Sequence, residues 1–254
     1  MDKYFIDETT QKYIGTQAEE RLSVTSDLQY LGENGITAVS PERWQQAQRY
    51  ERRTWLELIS GASDDRNCEH AERFGEYEAL KGKKFNNVIE LGCGPFTNVR
   101  TILPLIQARE LHLLDPLLAK YIDLPGCAYP DIAQMTRTTF TVSSIEDYQA
   151  VYTFDLVIMI NVLEHCQDAQ KVFDKILEIT APGGTFVFSE PVWPIEAIQD
   201  KALNEYDAGH PLRVSNQFVV DFLMENFNPV YVHDFYGLYE QAERQDIYFI
   251  GRRK

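Results

Sequence analysis

The stretch Val88-Ile89-Glu90-Leu91-Gly92-Cys93-Gly94-Pro95-Phe96-Thr97 decides the fold of this chain. An apolar run leads into two glycines, and a helical pattern follows over residues 97–107. A strand that passes through glycines into a helix is typical of a doubly wound α/β sheet, which binds ligands at the carboxyl ends of its strands. Gly92 and Gly94 can adopt positive φ angles and let a ligand lie against the backbone. A loop of this kind can bind a dinucleotide or an adenosyl group, or can serve only as a tight turn.

Two acidic residues near this loop indicate which ligand it takes. A dinucleotide fingerprint needs a third glycine three residues after Gly94, and that position is Thr97. Glu90 stands where it would repel a pyrophosphate and favour a cation such as the sulfonium of S-adenosylmethionine. Asp115 ends the next predicted strand, where a carboxylate can accept hydrogen bonds from both ribose hydroxyls. The alternative is that the two acids only cap neighbouring helices or face solvent.

From residue 86 onward, apolar strand-like runs alternate with helical patterns, which predicts an α/β fold. The prediction is a doubly wound, Rossmann-like, seven-stranded sheet whose terminal strands are antiparallel, preceded by a helical N-terminal extension. The predicted strands are 87–92, 110–115, 138–144, 154–163, 183–191, 230–239 and 245–253. Residues 1–82 form the extension, or lid, and residues 83–254 form the second domain.

Helical signals are clearest in the N-terminal extension. The segment SPERWQQAQRYERRTWLELISG (40–61) has Ser40 as a suitable N-cap, Pro41 at the first helical position and Gly61 at the end. A second helix is predicted over residues 70–81.

Composition and charge exclude several classes of function. The chain has 254 residues, of which 44% are hydrophobic, and a formal net charge of -15. Such an acidic protein is unsuited to a phosphate backbone or an anionic membrane, so nucleic acid and membrane are not predicted partners. The four cysteines lack the spacing of a zinc site, and no metal site is predicted. Because the N-terminus has no apolar signal and no run is long enough to cross a bilayer, a cytoplasmic location is expected.

Four segments in order resemble the motifs of the class I S-adenosylmethionine-dependent methyltransferases, small-molecule branch, over residues 84–252. They are ELGCGP (90–95), LLDP (113–116), INVLEH (160–165) and LEITAPGGTFVFSEP (177–191). The resemblance implies S-adenosyl-L-methionine as the cofactor. It departs from the family at Phe96, where a third loop glycine is usual.

The resemblance also implies a role for each matching position. The methionine part of the cofactor would lie against the backbone of Gly92, Cys93 and Gly94, and Glu90 would orient the loop or the ammonium group. Asp115 would hold the ribose. The adenine would lie near Pro116, Ser144 and Ile145. Asn161 and Val162 would lie beside the sulfonium.

The acceptor site is less defined by the sequence. A general base is optional in methyl transfer, because the reacting carbon is already activated by positive sulfur. His210 and His165 are the candidate catalytic residues, and each has a structural role as its alternative. The candidate substrate-binding residues are Tyr206, Arg213, Tyr50 and Trp55. For the two aromatics, plain packing is the alternative.

We expect methylation of an oxygen or nitrogen atom in a small-molecule acceptor, such as a sugar, a natural product or a related metabolite. No NPPY-like sequence follows Asn161, which argues against amine methylation on DNA bases or glutamine. Two alternatives remain open: a non-catalytic partner protein that binds S-adenosylmethionine, and a nucleotide-dependent oxidoreductase. A homodimer is the candidate assembly.

Overall fold

The computed structural model describes residues 31–58, 65–202, 208–239 and 242–254. Tyr206, a candidate substrate-binding residue, lies outside these ranges, as does the end of the predicted helix 40–61.

A seven-stranded sheet forms the centre of the described chain, in the order β5-β4-β3-β6-β7-β10-β9. The strands from β3 to β7 pair in parallel, whereas β10 is antiparallel to both β7 and β9. Their bounds are β3 Lys84–Leu91, β4 Gln107–Leu114, β5 Arg137–Thr141, β6 Phe154–Ile160, β7 Thr180–Val192, β9 Phe227–Tyr239 and β10 Ala242–Arg253. The predicted fold class is confirmed.

A second, small sheet joins the N-terminal segment to the rest of the chain. It contains β1 (Leu31–Gly32), β2 (Gly35–Ile36) and β8 (Arg213–Val214), in the order β1-β2-β8. The division at residue 82 stays a prediction. Hydrogen bonds between β2 and β8 nevertheless tie the extension to a segment close to the predicted acceptor residues.

Strand β6 shows why the sheet is buried on both faces. Its sequence FDLVIMI carries apolar residues at successive positions, as expected for a central parallel strand. Val157 and Met159 pack into the core on one face, while Ile158 and Ile160 pack into the core on the other. Helices cover both faces, so the carboxyl ends of the strands form the accessible edge.

The helices confirm part of the predicted pattern. Their bounds are α1 Pro41–Arg53, α2 Asn67–Arg73, α3 Val99–Ile102, α4 Leu118–Tyr121, α5 Tyr129–Met135, α6 Ala169–Ile179, α7 Ile195–Ala202 and α8 Asn216–Asn226. The Ser40 hydroxyl accepts a hydrogen bond from the Arg43 amide at 3.2 Å, which caps α1 as predicted. A π-helical turn, Thr54–Leu58, continues α1.

Two predicted helices are shorter than expected. The helix predicted over 70–81 is interrupted: α2 ends at Arg73, and Gly75, Glu76 and Tyr77 have positive φ angles within the short 3₁₀ segment Gly75–Leu80 that follows. The helix predicted over 97–107 stops at Ile102 and ends in a 3₁₀ turn that contains Pro104. Proline lacks the amide hydrogen that a longer α-helix would need. Within the described residues, no helix combines the length and apolarity needed to cross a membrane.

Candidate functional site

The carboxyl ends of β3, β4 and β6 meet at one edge of the sheet. Because these strands are adjacent and parallel, Glu90, Asp115 and Asn161 are brought to that edge together. The amides of Gly92 and Cys93 donate to the Leu114 carbonyl at 2.8 and 3.2 Å, which holds the glycine loop against the end of β4. The loop and the acidic residue after β4 therefore form one unit.

Glu90 is buried and orients the loop. Its carboxylate accepts hydrogen bonds from the Thr97 hydroxyl, from the Asn98 amide at 2.8 Å and from the Val99 amide at 3.2 Å. These donors lie at the start of α3, so Glu90 both holds the loop and caps that helix. Burial raises the pKa of Glu90 to about 7, an effect that the hydrogen bonds only partly oppose.

Asp115 is held by two backbone amides. Its Oδ2 accepts from the Gly94 amide at 3.1 Å, and its Oδ1 accepts from the Leu117 amide at 2.7 Å. Burial raises its pKa to about 6, and the charge of Glu51 on α1 adds to this effect. A carboxylate oxygen can accept two hydrogen bonds, so each oxygen keeps capacity for a further donor such as a ribose hydroxyl.

The two loop glycines have different surroundings. Gly92 has a φ of +64°, and a Cβ built there would lie 2.4 Å from a Val162 methyl carbon. Gly94 has a φ of +53°, and a Cβ built there would meet nothing within 4 Å. Gly92 therefore allows β3 and the segment after β6 to pack together, whereas Gly94 leaves open space beside the backbone.

The other predicted cofactor residues lie around this loop. The Cys93 thiol is buried 3.4 Å from the Tyr129 hydroxyl, which donates to the Gly94 carbonyl at 2.8 Å. Pro116 is half-buried directly after Asp115, and Ser144 is half-buried with its hydroxyl 2.9 Å from Asp147.

The remaining predicted residues of this group belong to the segments after β5 and β6. Ile145 packs in the same core cluster as Leu91 and Val162. Asn161 has a positive φ of 57°, and its amide donates to the Ser189 carbonyl at 2.8 Å. Val162 is buried over Gly92.

Glu190 is a site residue that sequence reasoning missed. Buried near the end of β7, it accepts hydrogen bonds at 2.9 Å from the amides of Val162, Leu163 and Glu164. Burial raises its pKa, and the neighbouring charge of Glu164 raises it further. The one available signal was a carboxylate inside an otherwise apolar strand, GTFVFSEP. Glu190 fixes the segment that follows β6.

Helix α1 lies across this edge. The Trp44 indole donates to the His165 carbonyl at 3.1 Å, and the Gln48 amide donates to the same oxygen at 3.3 Å. In the π-helical turn that continues α1, Trp55 packs edge-on against Phe96 and Tyr121, with ring centroids 5.7 and 6.1 Å away. Phe96 stands where the family usually has a third loop glycine, and it thus contacts the helical segment that lies across the strand ends.

The two candidate catalytic histidines lie together. Their ring centroids are 4.6 Å apart, the His165 Nδ1 is 3.1 Å from the Gly209 carbonyl, and the His210 Nε2 is 3.5 Å from a Glu164 carboxylate oxygen. Glu51, which sequence reasoning also missed, places a carboxylate oxygen 3.6 Å from His165.

The remaining candidate substrate residues are at the margins of this group. A Cβ built on Gly209 would lie 3.1 Å from a Tyr50 ring carbon, so Tyr50 covers the backbone next to His210. Arg213 is buried, and its guanidinium carbon lies 5.6 Å from the centre of the Trp193 ring. A carboxylate oxygen of Glu51 and one ring nitrogen each of His165 and His210 lie within 4.8 Å of one another. The sequence did not indicate this grouping.

A cavity of about 260 Å³ opens beside Asn161 at the same edge. Some of the charged side chains that line it form ion pairs: guanidinium nitrogens of Arg73 and Arg244 lie 3.6 and 2.6 Å from carboxylate oxygens of Asp246. The lining residues are Arg66, Glu69, His70, Arg73, Asn161, Ser189, Pro191, Arg244, Asp246 and Tyr248.

Comparison with known proteins identifies the family. Residues 52–221 match the model of a methyltransferase-domain family. The chain belongs to this methyltransferase family. The predictions of a class I S-adenosylmethionine-dependent methyltransferase and of its cofactor are confirmed. No curated protein matches the methyltransferase sequence.

Solved structures share the fold of this methyltransferase at low sequence identity. The N-methyltransferase NodS from Bradyrhizobium japonicum WM9, in complex with S-adenosyl-L-homocysteine, has a TM-score of 0.56 and 15% identity, over 82% of this chain and 98% of NodS. Coclaurine N-methyltransferase, bound to N-methylheliamine and S-adenosylhomocysteine, has a TM-score of 0.56 and 12% identity, over 95% of each chain. At such identities the likeness concerns the fold alone.

The residues at the strand ends fit the cofactor of this family. Asp115 offers acceptor capacity to a diol, and the open face beside Gly94 admits a ligand against the backbone. Carboxylates at this edge also suit a ligand that carries positive charge.

Proposed function

We propose that this methyltransferase transfers the methyl group of S-adenosylmethionine to an oxygen or nitrogen atom of a small-molecule acceptor. The observation that carries the proposal is the unit formed by Asp115 and Gly94, in which a buried carboxylate is bonded to the loop amide while the glycine faces open space. A sugar, a natural product or a related metabolite is the proposed acceptor class.

In this proposal, Asp115 receives the ribose hydroxyls and the backbone at Gly94 lies against the methionine part. Pro116, Ser144 and Ile145 flank the adenine, and Asn161 and Val162 lie beside the sulfonium. When bound, the cofactor supplies a methyl carbon activated by positive sulfur. Glu90 and Glu190 act indirectly, because each holds one of the two loops that border the site through backbone amides.

His210 is the proposed general base, and His165 lies against it. A carboxylate 3.5 Å from the His210 Nε2 would stabilise the imidazolium that forms when the ring accepts a proton from an acceptor hydroxyl or ammonium group. The Gly209 carbonyl oxygen can only accept a hydrogen bond. Its distance of 3.1 Å from the His165 Nδ1 therefore implies that this nitrogen carries the proton. The Nε2 of His165 is then the nitrogen that can accept.

Two features support a small acceptor. Helix α1 and the turn that continues it lie across the strand ends through Trp44, Gln48 and Trp55, which is a cover suited to an enclosed small acceptor. Two of the chain's structural neighbours are N-methyltransferases, one of them bound to N-methylheliamine. A cytoplasmic location and a homodimer also remain proposals.

The first experiment tests cofactor binding. S-adenosylhomocysteine should raise the melting temperature of the purified protein, because a ligand selective for the folded state stabilises it. NAD(H) is the control ligand and should leave the melting temperature unchanged. Stabilisation by NAD(H) but not by S-adenosylhomocysteine would contradict the proposal and favour the oxidoreductase alternative.

The second experiment tests catalysis. The protein is incubated with the methyl-labelled donor and metabolite extracts, and labelled products are separated. We expect His210→Gln to lower the rate of labelling by roughly a hundredfold, the order of a general-base contribution, while the exposed His233→Gln retains it. Binding of S-adenosylhomocysteine without any labelled product across several extracts would identify a non-catalytic binding partner instead.

A further inference from the structure

Three buried polar atoms without hydrogen-bond partners lie where β7, β8 and α8 meet. Two are donors, the Nη1 of Arg213 and the Nε1 of Trp193, and one is an acceptor, the Oδ1 of Asn216; they are three of the six such side-chain atoms in the described part of the chain. Buried polar atoms are normally paired, so the two unpaired donors need a partner that supplies acceptor atoms.

Backbone hydrogen bonds bring these residues together. The Trp193 amide donates to the Val214 carbonyl at 3.4 Å, and the Asn216 amide donates to the Trp193 carbonyl at 3.0 Å. The Arg213 guanidinium then lies over the Trp193 indole, with its carbon 5.6 Å from the ring centre. Both side chains are more than nine-tenths buried, at 8% and 5% exposure.

A buried arginine without an anion is costly in this position. Removing a guanidinium from water is unfavourable unless an opposite charge or several hydrogen bonds replace the lost solvent. Arg43, which is buried at 4% exposure, meets this need in part by donating to the Ala208 carbonyl at 3.1 Å. Among the described residues, the Nη1 of Arg213 has no such acceptor.

We propose that Arg213 and Trp193 bind an oxyanion, a carboxylate or a phosphate, carried by the methyl acceptor. An arginine fork and an indole N–H are both donors, and a planar or tetrahedral oxyanion offers the several acceptor lone pairs that they require. In a chain of net charge -15, anion recognition must come from such a local group of donors. This inference rests on the proposed function of the site.

The position relative to the histidines supports an anchoring role. Arg213 follows His210 by three residues, and the Leu212 amide donates to the Glu164 carbonyl at 3.2 Å. The oxyanion would therefore hold the acceptor close to the segment that carries the proposed base, without being the group that is methylated. Arg213 is thus a specificity-determining residue.

The test uses the indole N–H signals of the isotope-labelled protein, titrated with benzoate and with inorganic phosphate. The chain has three tryptophans, and Trp193→Phe identifies the Trp193 signal by its loss. We expect one or both anions to shift this signal, while the Trp44 signal stays in place because its N–H already donates to the His165 carbonyl. A shift of the Trp193 signal with benzoate only would identify a carboxylate site, and a shift with inorganic phosphate only would identify a phosphate site.

Arg213→Gln removes the charge and should abolish the shift, whereas Arg213→Lys keeps the charge and should weaken binding by about tenfold, since it loses the fork geometry. Absence of any shift in the wild-type protein, or an unchanged shift in Arg213→Gln, would overturn the inference. So would a loss of S-adenosylhomocysteine affinity in Arg213→Gln with anion binding intact, because Arg213 would then serve the cofactor. The readout needs no turnover, so failure here is distinguishable from failure of the proposed function.

Discussion

At the scale of single residues, Asp115 has the most direct proposed contact with the cofactor. Its carboxylate is positioned by the Gly94 and Leu117 amides before any ligand arrives. Such preorganisation lowers the cost of ordering the site on binding.

We expect Asp115→Ala to weaken S-adenosylhomocysteine binding by about ten- to a hundredfold, the value of hydrogen bonds to a charged acceptor. Calorimetric titration measures the change. Asp174→Ala is the control, because Asp174 is an exposed acid on α6 that is bonded to Gln170 and lies outside the proposed cofactor site. Equal losses in both variants would argue against a specific ribose contact.

Gly92 and Gly94 differ in what a side chain would meet. An alanine at Gly92 would combine a strained positive φ with a 2.4 Å contact to Val162, whereas an alanine at Gly94 would bring only the strain.

We therefore expect Gly92→Ala to lower the free energy of unfolding by about 2 to 4 kcal/mol, and Gly94→Ala by about 1 to 2 kcal/mol. Urea unfolding measures both. Val162→Ala removes the methyl carbons that clash but also truncates a buried core residue, so the double variant should lose less stability than the sum of the two single variants. Additive losses would mean that backbone strain accounts for the whole effect of Gly92→Ala.

At the scale of elements, α1 joins the two ends of the proposed site. It reaches His165 through Trp44 and Gln48, and it reaches the glycine loop through Trp55 and Phe96. If the cofactor binds at the glycine loop as proposed, we expect its binding to depend on the order of this helix.

Loss of the N-cap should loosen α1. We expect Ser40→Ala to cost about 1 kcal/mol of helix stability, to speed amide exchange in α1 and to weaken S-adenosylhomocysteine binding. The matched control is Ser215→Ala, since Ser215 caps α8 in the same way but lies outside the glycine loop. Unchanged S-adenosylhomocysteine affinity in Ser40→Ala would show that cofactor binding does not depend on the stability of α1.

Element boundaries show where local patterns were insufficient. The predicted strands at 87–92 and 110–115 match β3 and β4 closely, since their apolar runs end at the glycine loop and at Asp115. The predicted helix 70–81 fails at Glu76 and Tyr77. Tyr77 is fully buried and stacks on Phe74, so a tertiary contact accompanies the turn that interrupts the helix.

At the scale of the whole molecule, burial of acids makes stability depend on pH. Burial raises the pKa of Asp115 to about 6 and that of Glu90 to about 7, so the folded chain retains protons that the unfolded chain releases above about pH 4. The stabilising contribution of these two carboxyl groups is fully present below about pH 4 and is lost as the pH rises through their pKa values in the folded chain. Burial lowers the pKa of His70 to about 4, which acts in the opposite direction.

Comparison with Asp115→Asn isolates one of these groups. The free energy of unfolding of the wild-type protein minus that of the variant should decrease as the pH rises from about 4 to about 6, because only the wild-type protein has to ionise a buried carboxyl there. Urea unfolding at several pH values measures this difference. A constant difference across the range would show that Asp115 has no raised pKa.

The sequence by itself determined the sheet, the glycine loop and Asp115, because their signals are local: apolar runs, glycines and acids at fixed short spacings. It did not indicate Glu51 or Glu190, nor the unpaired donors of Arg213 and Trp193. Glu51 meets His165 and His210 only after α1 crosses the strand ends, and Trp193 meets Arg213 only after β7 and β8 come together. Contacts between residues far apart in sequence depend on packing, so only the tertiary structure decided them.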